Sequence, residues 1–319
     1  MAAPTIYRDT DASAPVLSGQ SNALIDLLKA CLVDGYGSQP AAGWTEAYTG
    51  TALAAFQQGG GAGRYVRVED SDARLARIRG YESMSAISTG TGDFPTVAQF
   101  GDDGLYVRKS ITADATARPW ILLATDTHFY LLIYSGVATT AVLGADGGDV
   151  TIGFGELLSP LLTGDTYASF LIAASDTSAT STTVTFARCP LIAYNIDSGL
   201  SGHYMARSYT ASGTSIAFGK CPASVHARQG NSGAATNAVT TPQAINGAFE
   251  LAQIAVIQGG LTAQVHRGYL PGVFGVSHTR TAMNNGTTVQ GHGAYEGEEF
   301  LYAQVGGTGS LMFQTSGGW

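Results

Sequence analysis

Tyr65-Val66-Arg67-Val68 and Ala76-Arg77-Ile78-Arg79-Gly80-Tyr81 decide how this chain reads. In both stretches apolar and polar residues alternate, the period of a half-buried β-strand rather than of a helix. Asp70, Ser71 and Asp72 between them are turn chemistry, with the acids expected on a solvated turn. Two strands joined there place arginine opposite arginine or opposite tyrosine, a cross-strand ladder on a wet face. Arg64, Arg67, Arg74, Arg77 and Arg79, interleaved with Tyr65 and Tyr81, make the only basic cluster in the sequence. Arginine and tyrosine are favoured interface anchors. These seven residues, with the terminal Trp319, are therefore the candidate interface. Arg–Tyr interleaving also occurs in single-strand nucleic-acid binders, but Glu69, Asp70 and Asp72 lie among these arginines.

Working outward, further short runs separated by turn residues read as strands. They are Leu105 to Arg108, Trp120 to Leu123, His128 to Tyr134, Val150 to Phe154, Tyr167 to Ile172 and Thr182 to Phe186. Later come His203 to Tyr209, Leu251 to Ile257, Phe300 to Val305 and Leu311 to Gln314. Asn285-Gly286 is hairpin-turn chemistry; Asp146-Gly147-Gly148 and Gly306-Gly307-Thr308-Gly309 are turns. One segment reads as a helix. From Asn22 to Val33 apolar residues recur at helical spacing, with Ser18 or Ser21 as N-cap and Gly35 beyond the end. The expected fold is mainly β: antiparallel sandwich or barrel modules with one N-terminal helix over about 22–33. A soft boundary divides it into 1–198 and 199–319. Gly104 to Ala113 echoes Gly202 to Ala211 in register, consistent with related β modules or with coincidence in a biased composition.

The composition narrows function. Of 319 residues only 13% are charged and 42 are glycine. Formal net charge is −8, which argues against nucleic acid and against an anionic membrane as partners. No apolar run approaches membrane-spanning length, and the N-terminus lacks the pattern of a secretory signal. Cys31, Cys189 and Cys221 are odd in number and form no C-x-x-C, so reduced, mostly buried thiols are expected.

Chemistry-bearing motifs are few. Gly19-Gln20-Ser21-Asn22 resembles the nucleophile block of SGNH-class carbohydrate esterases. No buried parallel strand precedes it and no Asp-x-x-His occurs, so capping by Ser18 and Ser21 is the plainer reading. Gly230-Asn231-Ser232-Gly233 has Asn231 where a trypsin-like nucleophile loop needs aspartate, and reads as an exposed loop. His128, His203, His226, His266, His278 and His292 form no metal-ligand spacing; His128 and His203 are expected to be packed or cross-strand. No cofactor motif is present, and no catalytic or metal residue is assigned.

Several stretches in order resemble a family of virion structural proteins of tailed bacteriophages. They include Tyr7-Arg8-Asp9-Thr10-Asp11-Ala12, Ala14 to Gly19, and Cys31-Leu32-Val33-Asp34-Gly35-Tyr36-Gly37 through Trp44-Thr45. Leu75 to Met84 with Thr91 to Pro95, and Arg108 to Ser110 with Ala113 to Trp120, continue the pattern. Phe154-Gly155-Glu156 with Gly164 to Tyr167, Gly202 to Thr210, His266 to Val273 and Ser316 to Trp319 complete it. The resemblance implies a non-enzymatic, self-associating or decorating role on the capsid exterior, neck or tail. The implied partners are further copies and other virion proteins, with assembly in the host cytoplasm. A glycan-binding tail adhesin is the alternative. It requires exposed aromatic side chains, whereas Trp44 and Trp120 are expected in the core. An esterase using Ser21 is the third reading.

Overall fold

The computed structural model describes residues 2–100, 103–136, 150–158, 165–173, 203–210, 215–220, 251–258, 265–276, 286–305 and 309–319. The statements below concern these. The fold is mainly β and of the sandwich class, with every strand pairing antiparallel.

The N-terminal half opens with β1 (Thr5–Arg8) and α1 (Ala23–Lys29). Next come β2 (Thr45–Gly50), β3 (Leu53–Gln57), β4 (Tyr65–Glu69) and β5 (Leu75–Tyr81). A hairpin of β6 (Ser83–Ala86) and β7 (Thr89–Thr91) leads to a single turn, α2 (Val97–Phe100), and to β8 (Leu105–Arg108). Then follow β9 (Trp120–Ala124), β10 (Phe129–Ile133), β11 (Val150–Glu156) and β12 (Ser169–Ile172). The remainder supplies β13 (His203–Met205), β14 (Ser215–Lys220), β15 (Leu251–Gln258) and β16 (Val265–Val276). The last three are β17 (Thr288–Gln290), β18 (Glu299–Val305) and β19 (Gly309–Gln314).

Strands β2-β3-β4-β5-β8 form a five-stranded sheet. A twelve-stranded sheet runs β1-β9-β10-β11-β12-β13-β14-β15-β16-β19-β18-β17. The expected 198/199 boundary falls on residues outside the described set, yet β12 and β13 on either side of it pair in one sheet, Leu171 opposite Tyr204. Strand pairing thus runs across the proposed boundary. The Trp319 N–H approaches the Ala2 carbonyl at 3.5 Å, and Gly286, ahead of β17, packs beside Arg8 and Ile121. The far end of the long sheet therefore returns towards β1.

Strands β9 to β12 form a middle layer with both faces covered. Trp120, Leu122, Phe129, Leu131, Ile133, Ile152 and Phe154 face one core. That core is completed by α1 and by Phe56, Val66, Val68, Ile78 and Val107 of the five-stranded sheet. Ile121, Leu123, Tyr130, Leu132, Phe170 and Ile172 face a second core, completed by Val256, Leu270, Val273, Leu301, Phe313 and Trp319. A strand buried on both faces needs apolar residues at successive positions, and β9 and β10 read Trp-Ile-Leu-Leu-Ala and Phe-Tyr-Leu-Leu-Ile. Each such fully buried aliphatic or aromatic side chain contributes about 1.5–3 kcal/mol over exposure.

The helix departs from its expected form. It is α-helical over Ala23–Lys29 and continues as a π-turn over Ala30–Asp34, where the Gly35 N–H bonds back to the Ala30 carbonyl at 2.8 Å. Gly35 has φ 75° and lets the chain leave. Neither Ser18 nor Ser21 caps it. Asn22 occupies the N-cap position without a side-chain cap bond. The Asp70 carboxylate accepts the Leu24 N–H at 2.8 Å and the Ile25 N–H at 3.5 Å instead.

Candidate interaction face and buried charge network

The alternation in β4 and β5 produces the expected ladder. Tyr65 lies opposite Tyr81, Arg67 opposite Arg79, and Glu69 opposite Arg77. Val66, Val68, Ala76 and Ile78 point the other way, into the core. The face is drier than expected. Arg67 is only 7% exposed and Arg79 only 6%, because the segment after β7 folds over them. Arg67 pairs with Asp103, and Arg79 pairs with both Asp93 and Asp103. Arg79 Nε also donates to the Pro95 carbonyl at 2.9 Å. Both guanidiniums lie within cation–π distance of the Tyr81 ring, at 5.7 and 5.5 Å. Burial raises the Tyr81 hydroxyl above its ordinary pKa, against the pull of both arginines.

The remaining candidates are also engaged within the chain. Arg77 Nε contacts Glu69 at 2.7 Å, and the half-buried Tyr65 stacks on Tyr48 with centroids 6.4 Å apart. Arg64 reaches into the long sheet, donating to the Thr166 carbonyl at 3.0 Å and to Ser169 Oγ at 3.3 Å. Arg207 grips both oxygens of Glu82 at 2.6 and 2.7 Å and lies 4.3 Å from the Tyr167 centroid. These contacts lock the two sheets together. Arg74 sits in the β4–β5 connection, where its carbonyl accepts the Lys109 N–H at 2.9 Å. Neighbouring Arg108, on the same outer face, is depressed in pKa by burial and by Arg74, and its Nη1 lacks a hydrogen bond.

Trp319 does not belong to this face. It is 2% exposed, packs edge-on against Tyr130 at 5.3 Å and donates Nε1–H to the Gln314 carbonyl at 2.9 Å. Gly272, at φ 64°, makes room for it: a Cβ there would come within 2.1 Å of the indole nitrogen. Trp44 and Trp120 are in the core at 3% and 0% exposure, as their sequence context suggested. No tryptophan is available to line a groove.

Asp70 overturns the solvated-turn expectation. Its side chain and that of Lys109 are both 0% exposed and form an ion pair. Lys109 Nζ also donates to the Gln20 carbonyl at 2.5 Å. Burial pushes the Asp70 carboxyl up to about 6, although Lys109 and the Leu24 and Ile25 N–H groups pull it down. Asp72 does lie in a turn, where its carboxylate accepts the Arg74 N–H at 2.7 Å. Ser21 is exposed, and its hydroxyl donates to the Asp70 carbonyl at 2.9 Å. It stands at the entry to a helix beside antiparallel strands, without the parallel framework that an SGNH nucleophile requires.

His128 is packed as expected. It is 7% exposed, with Nε2 2.8 Å from the Glu156 carbonyl and Nδ1 2.7 Å from Thr127 Oγ1. The carbonyl fixes the proton on Nε2, and burial depresses the pKa. Cys31 is a buried free thiol, its pKa raised by burial. His226, His278, Cys189, Cys221 and the Gly230–Gly233 stretch lie outside the described residues, as do Thr182 to Phe186 and Asp146 to Gly148. Among the described residues no cluster of three or more His, Cys, Asp or Glu is arranged to hold a metal. No described helix is long and apolar enough to cross a membrane.

Sequence reasoning missed Asp70, Lys109, Asp93, Asp103, Glu82 and the buried Arg267–Asp165 pair. One signal pointed towards part of this network. The echoed segments align Lys109 with Arg207, and each cation pairs with an acid of the N-terminal half, Asp70 or Glu82.

No protein-family model matches the chain, and no curated protein is significantly similar to it.

Proposed function

We propose that the protein is a non-enzymatic structural component of a tailed-phage virion, self-associating or decorating the particle at the capsid exterior, neck or tail. The observation that carries this reading is how the reactive and charged side chains are used. Lys109, Arg67, Arg79, Arg267, Ser21 and His128 are all held by partners inside the chain. Such a body is stiff, and stiffness suits repetitive symmetric assembly. The ordered run of segments resembling virion structural proteins supports the same reading. Partners are further copies of the chain and other virion proteins.

Purified particles probed with an antibody against the chain, together with light scattering on the isolated protein, test the proposal. The expected result is a fixed stoichiometry in the particle and a self-associated species in solution. A strict monomer that is absent from particles refutes it.

A further inference from the structure

Among the described residues two ion pairs have both side chains shut away from solvent, Arg267–Asp165 and Lys109–Asp70. They differ in chemistry. A guanidinium beside a carboxylate can only pair with it. A primary amine beside a carboxyl group can also attack it.

The second pair carries the parts for that attack. Lys109 Nζ contacts Asp70 Oδ1 and donates a further hydrogen bond to the Gln20 carbonyl at 2.5 Å. Asp70 Oδ2 accepts the Leu24 N–H at 2.8 Å, with the Ile25 N–H at 3.5 Å. The surroundings are the apolar core beneath α1, where Leu24, Leu27 and Leu28 are fully buried. An ion pair in such a place is expensive to keep charged. Passing one proton from the ammonium to the carboxylate leaves a neutral amine against a neutral carboxyl, and burial favours the uncharged forms. The reacting groups are held together by the fold. The two backbone donors stand on the oxygen where negative charge develops during attack.

We propose that Lys109 and Asp70 condense into an intramolecular isopeptide bond. Nζ adds to the Asp70 carboxyl carbon, and the new N–C bond replaces the carbon–Oδ1 bond. Oδ1 leaves as water, carrying its own hydrogen and one proton from the amine. Oδ2 stays as the amide carbonyl, still accepting from Leu24. The single amide N–H left on Lys109 remains directed at the Gln20 carbonyl. Nothing is oxidised or reduced. The bond staples the segment after β4 to the segment after β8 beside the start of α1. It does not depend on the virion reading.

The full-length recombinant protein is denatured, and its intact mass and tryptic peptides are measured. The expected mass is lower than the sequence mass by one water. Trypsin leaves the Lys109–Ser110 bond uncut, and a branched peptide joins the chains around Asp70 and Lys109. Asp70→Asn is expected to give the identical branched product by losing ammonia instead of water. Lys109→Arg is expected to show its full sequence mass. A wild-type protein of full mass that is cleaved after Lys109 overturns the proposal, as does a water loss that maps to other residues. Both readings come from the wild-type chain, so a variant that misfolds does not affect the decision.

Discussion

Arg67 and Arg79 on the five-stranded sheet are almost as hidden from solvent as Phe129 and Leu131 on β10, at 7% and 6% against 0% for both. The two regions reach that state by different routes. In the middle layer β9 and β10 are apolar at every position and are covered by whatever apolar surface lies above and below. The arginine face is covered by specific groups, Asp93, Asp103 and the Pro95 carbonyl, all brought in by one segment. Apolar burial is tolerant of its neighbours, whereas buried charge depends on particular partners. Loss of bulk should therefore dominate in the middle layer, and loss of a partner on the arginine face.

The largest expected effect is Phe154→Ala. Phe154 meets Trp44, Phe94 and Phe129 at centroid distances of 5.8, 6.0 and 6.2 Å. The cavity should cost about 3–5 kcal/mol, read as a lower urea midpoint at unchanged slope. A cost under about 1 kcal/mol would remove the shared-core description. Asp103→Ala comes next. Stranding a buried cation costs about 3–5 kcal/mol, but Asp103 is 45% exposed and Arg79 keeps Asp93. The expected loss is about 1–3 kcal/mol, with Asp103→Asn intermediate. An Asp103→Ala chain as stable as the parent would show that both arginines are satisfied elsewhere.

The third expectation concerns pH. Burial depresses the His128 pKa, so the folded chain binds that proton less readily than the unfolded chain. The His128 contribution is therefore fully present above its ordinary pKa of about 6.5 and is lost as pH falls towards the depressed value. Comparing unfolding midpoints of the parent and His128→Gln between pH 5 and 7.5 (about the window of an ordinary histidine) should show a flatter profile in the variant. Parallel profiles would contradict the packed, neutral imidazole. The smallest effect belongs to Arg77→Ala. Its pair with Glu69 is partly solvated, at 29% and 17% exposure, and the change should cost under about 0.5 kcal/mol. A larger loss would place Arg77 with Arg67 and Arg79.

Much of this was legible in the sequence. Alternation from Tyr65 to Tyr81 showed both strands and which side chains share a face, because a one-residue slip would have turned Val66 and Ile78 outward. It left arginine opposite arginine or opposite tyrosine, and only the structure sets Arg67 against Arg79. The acids that dry the face were not legible, since Asp93 and Asp103 reach it through a connection with no periodicity. The helix was found by its spacing, but its cap was misassigned: the capping carboxylate is Asp70, 46 residues from Leu24. Strands β2 and β3 were missed because their alanine, glutamate and glycine are residues that strands disfavour. Strand β16 was missed because Gly268, Pro271 and Gly272 interrupt the strand pattern. Trp319 was legible as an anchor but not as to what it anchors, because only its packing against Tyr130 shows that.

The doubly covered middle layer has a consequence for how the molecule comes apart. Its strands are a wall common to both cores, so neither core can open without baring one side of β9 to β11. Calorimetry should then record one transition whose van't Hoff and measured enthalpies agree. Amide hydrogens of Leu122, Leu131 and Ile152 should exchange last, through global unfolding alone.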